Sequence, residues 1–264
     1  MYRGFKLKPF TISDKNKEKE MFEAGENLFS KNRATCETKL KEFMNTNNSL
    51  DGSALTQSWF PQIEADIFIS HSHEDERMAK ILAGLLYDSF GLNAFIDSCV
   101  WGYGEALLKI IDDAYCLNTK TQTYNYDKRN QTTSHVHMML STALSMMIGK
   151  TECLLFLNSP ASIVPAESIA KTKSPWLYYE VSLSQIIRKE IPDRIVTEEL
   201  KTFSKKEYFE KAFDMEHEVD SRHLNEIDFE TINKWQRSKA RGKAAMDVLY
   251  AISPEKKYSK SLHG

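Results

Sequence analysis

The chain has 264 residues, of which 41% are hydrophobic and 27% charged, and its formal net charge is −2. That balance fits a globular protein and gives no overall electrostatic pull toward nucleic acid or an anionic membrane, so neither is expected as a partner. No basic segment followed by an apolar core opens the sequence, and no apolar run reaches spanning length, so a cytoplasmic location is expected.

From Asp14 to about Met44 the sequence reads as helix, with Met21, Phe22, Leu28, Phe29, Leu40 and Phe43 recurring among Lys and Glu. Residues 45–58 are polar and read as linker. Asp66–Ser70 is a short β-branched and aromatic run, the mark of a buried parallel strand. Ser72 and Asp75 then make an S-x-x-D capping box ahead of a helix whose stripe is Met78, Ile81, Leu82, Leu85 and Leu86, with Gly91 at its end. Leu92–Asp97 is the next strand. Strand, helix and strand in this order make a βαβ unit, which implies a parallel sheet.

A loop containing Trp101, Gly102, Tyr103 and Gly104 leads to a helix over Glu105–Leu117. Asn118–Ser134 is polar and without periodicity, and reads as an insertion. A Met-rich helix follows over Met138–Met147, its methionines read as core filling, and then a third strand, Cys153–Leu157. Ser174-Pro175-Trp176-Leu177-Tyr178-Tyr179-Glu180 starts another helix, with Leu183, Ile186 and Ile187 on its inner side. Ile191–Val196 reads as one more short strand, and the remainder as helical, ending in Ile232, Trp235, Ala244, Val248, Leu249 and Ile252. The four cysteines (Cys36, Cys99, Cys116, Cys153) are scattered and read as buried apolar residues. His71/His73 and His135/His137 are H-x-H pairs without an obvious third ligand, so no metal is expected.

Four of these blocks resemble the Toll/interleukin-1 receptor (TIR) family in the family's order. Asp66-Ile67-Phe68-Ile69-Ser70-His71-Ser72-His73-Glu74-Asp75 is similar to its opening strand and loop. Gly91-Leu92-Asn93-Ala94-Phe95-Ile96-Asp97 is similar to its second strand, and Leu155-Phe156-Leu157-Asn158-Ser159-Pro160 to its third strand and exit. Ser174–Glu180 is similar to its S-x-W-x-x-x-E helix start. The resemblance covers about half of the chain. It implies an α/β, flavodoxin-like TIR domain with a parallel sheet at 61–197, between an N-terminal helical extension and linker (1–60) and a C-terminal helical extension (198–264). The longer Asn118–Ser134 stretch and a faint last β/α unit depart from the family pattern.

The resemblance implies NAD+ as substrate, with no further cofactor, and maps the catalytic carboxylate onto Glu180. The chemistry is sound by itself. Nicotinamide leaves NAD+ as a neutral molecule, positive charge builds on the ribose, and one carboxylate can stabilise it. Trp176, four residues earlier, shares a helical face with Glu180 and offers a ring to stack on a cationic pyridinium. The carboxyl ends of the strands should supply the pocket floor: Ser70, His71, Ser72, Asp97 and Ser98. The Trp101–Gly104 loop resembles the family's mobile loop that packs on a neighbouring subunit, which implies self-association; read without the resemblance, Gly-Tyr-Gly is a flexible turn. A soluble TIR protein of this kind resembles bacterial anti-phage enzymes that make a nucleotide signal for a separate effector protein. The alternatives are a non-catalytic adaptor acting through TIR–TIR association and a ligand sensor without turnover. Whether the product is ADP-ribose, a cyclic isomer or a conjugate is left open by the sequence.

Overall fold

β1 (Arg3–Leu7) opens the chain, followed by α1 (Lys15–Ser30), a 3-10 turn at Leu40–Phe43 and α2 (Gly52–Trp59). β2 (Ile67–Ser70) runs through a 3-10 turn at His73–Asp75 into α3 (Glu76–Phe90), then β3 (Ala94–Phe95), α4 (Asp97–Val100) and α5 (Gly104–Tyr115). β4 (Leu117–Asn118) and β5 (Thr123–Tyr124) precede α6 (Tyr126–Lys150) and β6 (Cys153–Leu157). β7 (Lys171–Thr172), α7 (Pro175–Ile186), β8 (His217–Glu218), β9 (Asn225–Ile227), α8 (Phe229–Arg237) and α9 (Lys243–Ile252) follow. These elements come from a computed structural model that describes residues 1–30, 40–44, 49–101, 104–163, 171–172, 174–195, 217–218 and 220–255.

The protein is an α/β fold of flavodoxin-like type built on a five-stranded sheet in the order β3-β2-β6-β1-β9, with every pairing parallel. Every residue of β2 and β6 is buried, which is why both read as continuous apolar runs without alternation. α3 buries Ile81, Leu82, Leu85 and Leu86, and ends at Gly91 in the left-handed region (φ 65°), where the Gly91 N–H bonds the Tyr87 carbonyl. α1 lies directly against α3. A Cβ on Gly84 would stand 1.9 Å from the Met21 carbonyl oxygen, and one on Gly25 would stand 2.1 Å from that of Lys80. Only glycine permits that approach. At the far end of α3, Phe90 stacks on the buried Trp235 of α8 at 3.9 Å between ring centres.

The sheet crosses the expected three-part division. Its fourth strand, β1, comes from the segment read as a helical extension (1–60), and its fifth, β9, from the segment read as a helical tail (198–264). β1 alternates buried and half-buried residues, with Phe5 and Leu7 fully enclosed, and pairs with β6 on one side and β9 on the other. Lysines at 6 and 8 mask this short period-two signal in the sequence. The Asn118–Ser134 stretch is also ordered differently from an insertion loop. It holds the β4–β5 hairpin and the first turns of α6, which starts at an Asn125 cap whose side chain accepts from the Lys128 N–H. Ile191–Val196 is not a strand: Asp193–Ile195 form a 3-10 turn closed by the Ile195 N–H on the Pro192 carbonyl, and Val196 lies outside the described residues. The expected helix over 198–216 also lies outside them.

Candidate functional site

The carboxyl ends of β2 and β3 open into a cavity of about 380 Å³, lined by His71, His73, Asp97, Ser98, Trp101, Gly104, Glu105, Leu140, Ser174, Trp176, Leu177 and Glu180. Its position follows the general rule for open α/β sheets, where ligands sit beyond the strand ends. The exit of β2 and four helices contribute, with α4 following β3 directly and supplying Asp97 and Ser98. α7 supplies Trp176, Leu177 and Glu180, α5 supplies Gly104 and Glu105, and α6 supplies Leu140.

α7 is held at its start by Ser174, whose side chain accepts the Leu177 N–H at 3.2 Å, with Pro175 at the first helical position. That start fixes where the next turn points. Trp176 is half-buried against the core, its ring edge-on to His137 at 5.4 Å and 87°. One turn later Glu180 is 3% exposed, and its Oε2 accepts from the Ser70 hydroxyl at 2.6 Å. Burial pushes the Glu180 carboxyl well above its ordinary value. The Asp97 charge pushes it further in the same direction, and the Ser70 hydrogen bond works against both.

Six of the eight residues expected from the sequence line the cavity: Glu180, Trp176, His71, Asp97, Ser98 and Trp101. The other two have different duties. Ser70 lies beneath the cavity wall and holds Glu180. Ser72 is outside the lining and does not cap a helix. Its hydroxyl donates to the Asp75 carboxylate at 2.7 Å, which also accepts from Ser159 at 2.5 Å and Ser162 at 3.1 Å. This cluster ties the exit of β2 to the exit of β6 beside the cavity. The S-x-x-D capping box is therefore absent: a 3-10 turn intervenes, and the Asp75 carboxylate faces those hydroxyls.

Trp101 also corrects an expectation. It is 2% exposed, its indole N–H donates to the Pro61 carbonyl at 2.8 Å, and its ring packs edge-on to Phe60 and Phe95. Val100 is enclosed as well. Trp101 is thus a wall of the cavity rooted in the core and not an exposed anchor for a neighbouring subunit; Gly102 and Tyr103 lie outside the described residues. The sequence reading missed His73, Gly104, Glu105, Leu140, Ser174 and Leu177 as lining residues. Ser174 was within reach as a helix cap, and His73 as the partner of His71. Leu140 carries no signal, because an apolar residue in a helix reads as core.

Cys36 lies outside the described residues, and the cysteines among them are buried. Cys99 is buried and its thiol is pushed up to about 12 by burial and by the charge of Glu76, and burial likewise pushes up the Cys153 thiol. No group of three or more metal-binding side chains occurs among the described residues. No helix among them is long and apolar enough to cross a membrane. No protein-family model matches this chain, and no curated protein or solved structure matches it either. The cavity combines a buried carboxyl with an aromatic ring at the mouth of a parallel sheet.

Proposed function

We propose that this chain is a TIR-type NAD+ nucleosidase in which Glu180 stabilises the ribose cation. The observation that carries the reading is Glu180 itself, a carboxyl enclosed in the cavity wall one turn beyond the half-buried ring of Trp176. A carboxyl buried with another acid nearby is costly to ionise, and a cation entering the cavity relieves that cost. The pyridinium of NAD+ is such a cation, and Trp176 offers it a ring face. Cleavage breaks the bond between ribose C1′ and the nicotinamide nitrogen. The bonding pair leaves with neutral nicotinamide, and C1′ becomes electron-poor beside Glu180. Water then adds to C1′ and releases a proton, giving ADP-ribose; an adenine nitrogen in place of water gives a cyclic isomer.

The four TIR-like blocks support the family assignment, since their residues form β2, β3, β6 and the start of α7, and the first, second and fourth of them contribute residues to one cavity. A cytoplasmic protein that makes a nucleotide signal for a separate effector in anti-phage defence is the corresponding biological role. Self-association belongs to the same proposal, and Met138, Met146 and Ile186, 64%, 56% and 75% exposed, are the large apolar side chains a second copy would cover. The deciding experiment incubates the purified protein with NAD+ and resolves the products by mass. Nicotinamide release by the wild type that is lost in Glu180→Gln supports the reading. No release at any protein concentration removes it in favour of an adaptor.

A further inference from the structure

The last residue of β2 is a buried hydroxyl at the end of an apolar strand. Ile67, Phe68 and Ile69 are apolar and fully enclosed, and Ser70 that follows them is equally enclosed, at 0% exposure. A hydroxyl in that position is unfavourable unless it is paired. Its pairing is specific: the Ser70 hydroxyl donates to Glu180 Oε2 at 2.6 Å, a short bond between two buried groups far apart in sequence. The Ser70 backbone is itself immobilised, since β2 is an interior strand with β3 on one side and Ser70 in register with Phe156 of β6 on the other. Glu180, by contrast, sits on a helix joined to the sheet through side chains.

We propose that Ser70 is a positioning residue for Glu180: it anchors Oε2 to the rigid sheet, leaves the other carboxylate oxygen to the cavity, and keeps the group able to ionise there. This rests on the reading of Glu180 given above. The ionisable groups sharing the cavity are Asp97 on α4, Glu105 on α5, and His71 and His73 after β2, while His137 of α6 stands beside Trp176. Burial and Asp97 both favour the neutral form of Glu180, and the Ser70 hydrogen bond is the contact that favours the charged one. A carboxyl without it would hold its proton to higher pH and rotate about its terminal torsion, which is broad when no partner fixes it. Both effects weaken charge stabilisation that depends on placement.

The test compares wild type with Ser70→Ala and Ser70→Thr, using Glu180→Gln as reference. Infrared difference spectra across a pH titration follow the Glu180 carboxyl directly, as the band that Glu180→Gln lacks. Nicotinamide release from NAD+ is measured over the same pH range. Ser70→Ala should move the carboxyl titration upward and lower kcat at neutral pH by about 10–100-fold, the range for a lost hydrogen bond to a charged group. The loss should shrink as pH rises, KM should change little, and Ser70→Thr, which keeps the hydroxyl, should restore both titration and rate. An unchanged carboxyl titration in Ser70→Ala overturns the proposal. So does a loss of rate that is equal at every pH and shared by Ser70→Thr. Should Ser70→Ala fail to fold, Ser70→Cys, close in volume and a poor donor, replaces it. A wild type that releases no nicotinamide sinks the function proposed above, while the infrared titration still decides the role of Ser70.

Discussion

Asp97 on α4 lines the same cavity as Glu180 on α7, and its charge joins burial in pushing the Glu180 carboxyl upward. Burial and the Asp97 charge both oppose ionisation of Glu180, so its carboxylate is electrostatically frustrated in this fold. A cationic ligand removes the frustration, and the cost is carried by the stability of the unliganded fold.

Glu180→Gln therefore separates function from stability. Nicotinamide release should fall roughly 100-fold or more, because the amide cannot balance charge on the ribose. Stability should move the other way. A carboxyl raised in the fold contributes stability below its ordinary value near 4.5, and that contribution is lost as pH rises through the folded value. The amide has no such loss. Melting curves should show the variant equal to wild type in acid and more stable at neutral pH, by about 2–4 °C for each ~1 kcal/mol recovered. A variant with a lower melting temperature at neutral pH would contradict the assigned electrostatics.

Trp176 serves both the cavity and the core, since it lines the first and packs against the second while staying half-buried. Trp176→Ala should destabilise by less than the ~3–5 kcal/mol of a fully buried aromatic and should raise KM for NAD+. Trp176→Phe keeps a ring face and should retain part of the activity. Kinetics and calorimetry on the two variants distinguish the duties: a stable but weakly binding Ala variant assigns the ring to the substrate.

The sequence revealed the site better than the sheet. Glu180 and Trp176 were legible because helical spacing puts them on one face, and Asp97 because it closes a strand. β2, α3 and β6 were legible from apolar runs and stripes that long burial requires. β1 was not, because lysines at 6 and 8 mask its alternation, and β9 was not, because it is only three residues long and buries Asn225 and Ile227 around an exposed Glu226. Trp101 was misread since a Trp between Val and Gly looks like a loop anchor, and nothing local reveals Phe60, Pro61 and Phe95 closing over it. Met138 and Met146 read as core but are exposed, and so is Ile186, because α6 and α7 each bury only one side.

The α1–α3 contact gives a stability prediction that is independent of catalysis. Gly84→Ala and Gly25→Ala each place a methyl group within about 2 Å of a facing carbonyl oxygen, so the helices must separate. Each should cost about 1–3 kcal/mol or more. Gly52→Ala, where the nearest atom is the end of the Met139 side chain at 3.4 Å, should stay within about 0.5 kcal/mol of wild type. Urea denaturation of the three variants is the check. Equal midpoints would show that α1 does not press on α3.

Acid sensitivity should centre on His223. Its Nε2 lies 2.8 Å from the Ser184 hydroxyl and its Nδ1 3.1 Å from the Asp220 carbonyl, and burial lowers its pKa to about 4. In the unfolded chain it titrates near 6.5. Stability from the neutral ring is thus complete above pH 6.5 and is lost as pH falls toward 4, by up to about 3 kcal/mol. His223→Gln cannot take up the proton and should flatten that limb of a stability–pH curve. An unchanged limb would place the acid sensitivity elsewhere.

The interior place of β1 matters for biosynthesis. β1 leaves the ribosome long before β6 and β9, the two strands that flank it. About 150 residues separate it from β6, which at ~5–20 residues per second is roughly 7–30 s with both edges of the strand unpaired. β2, α3 and β3 can join meanwhile, but the sheet stays open in its middle until Cys153–Leu157 has been translated, and β1 keeps one edge free until Asn225–Ile227 follows. Nascent chains of this protein should therefore lean on holding chaperones at the ribosome exit, and should remain sensitive to protease until β9 has emerged.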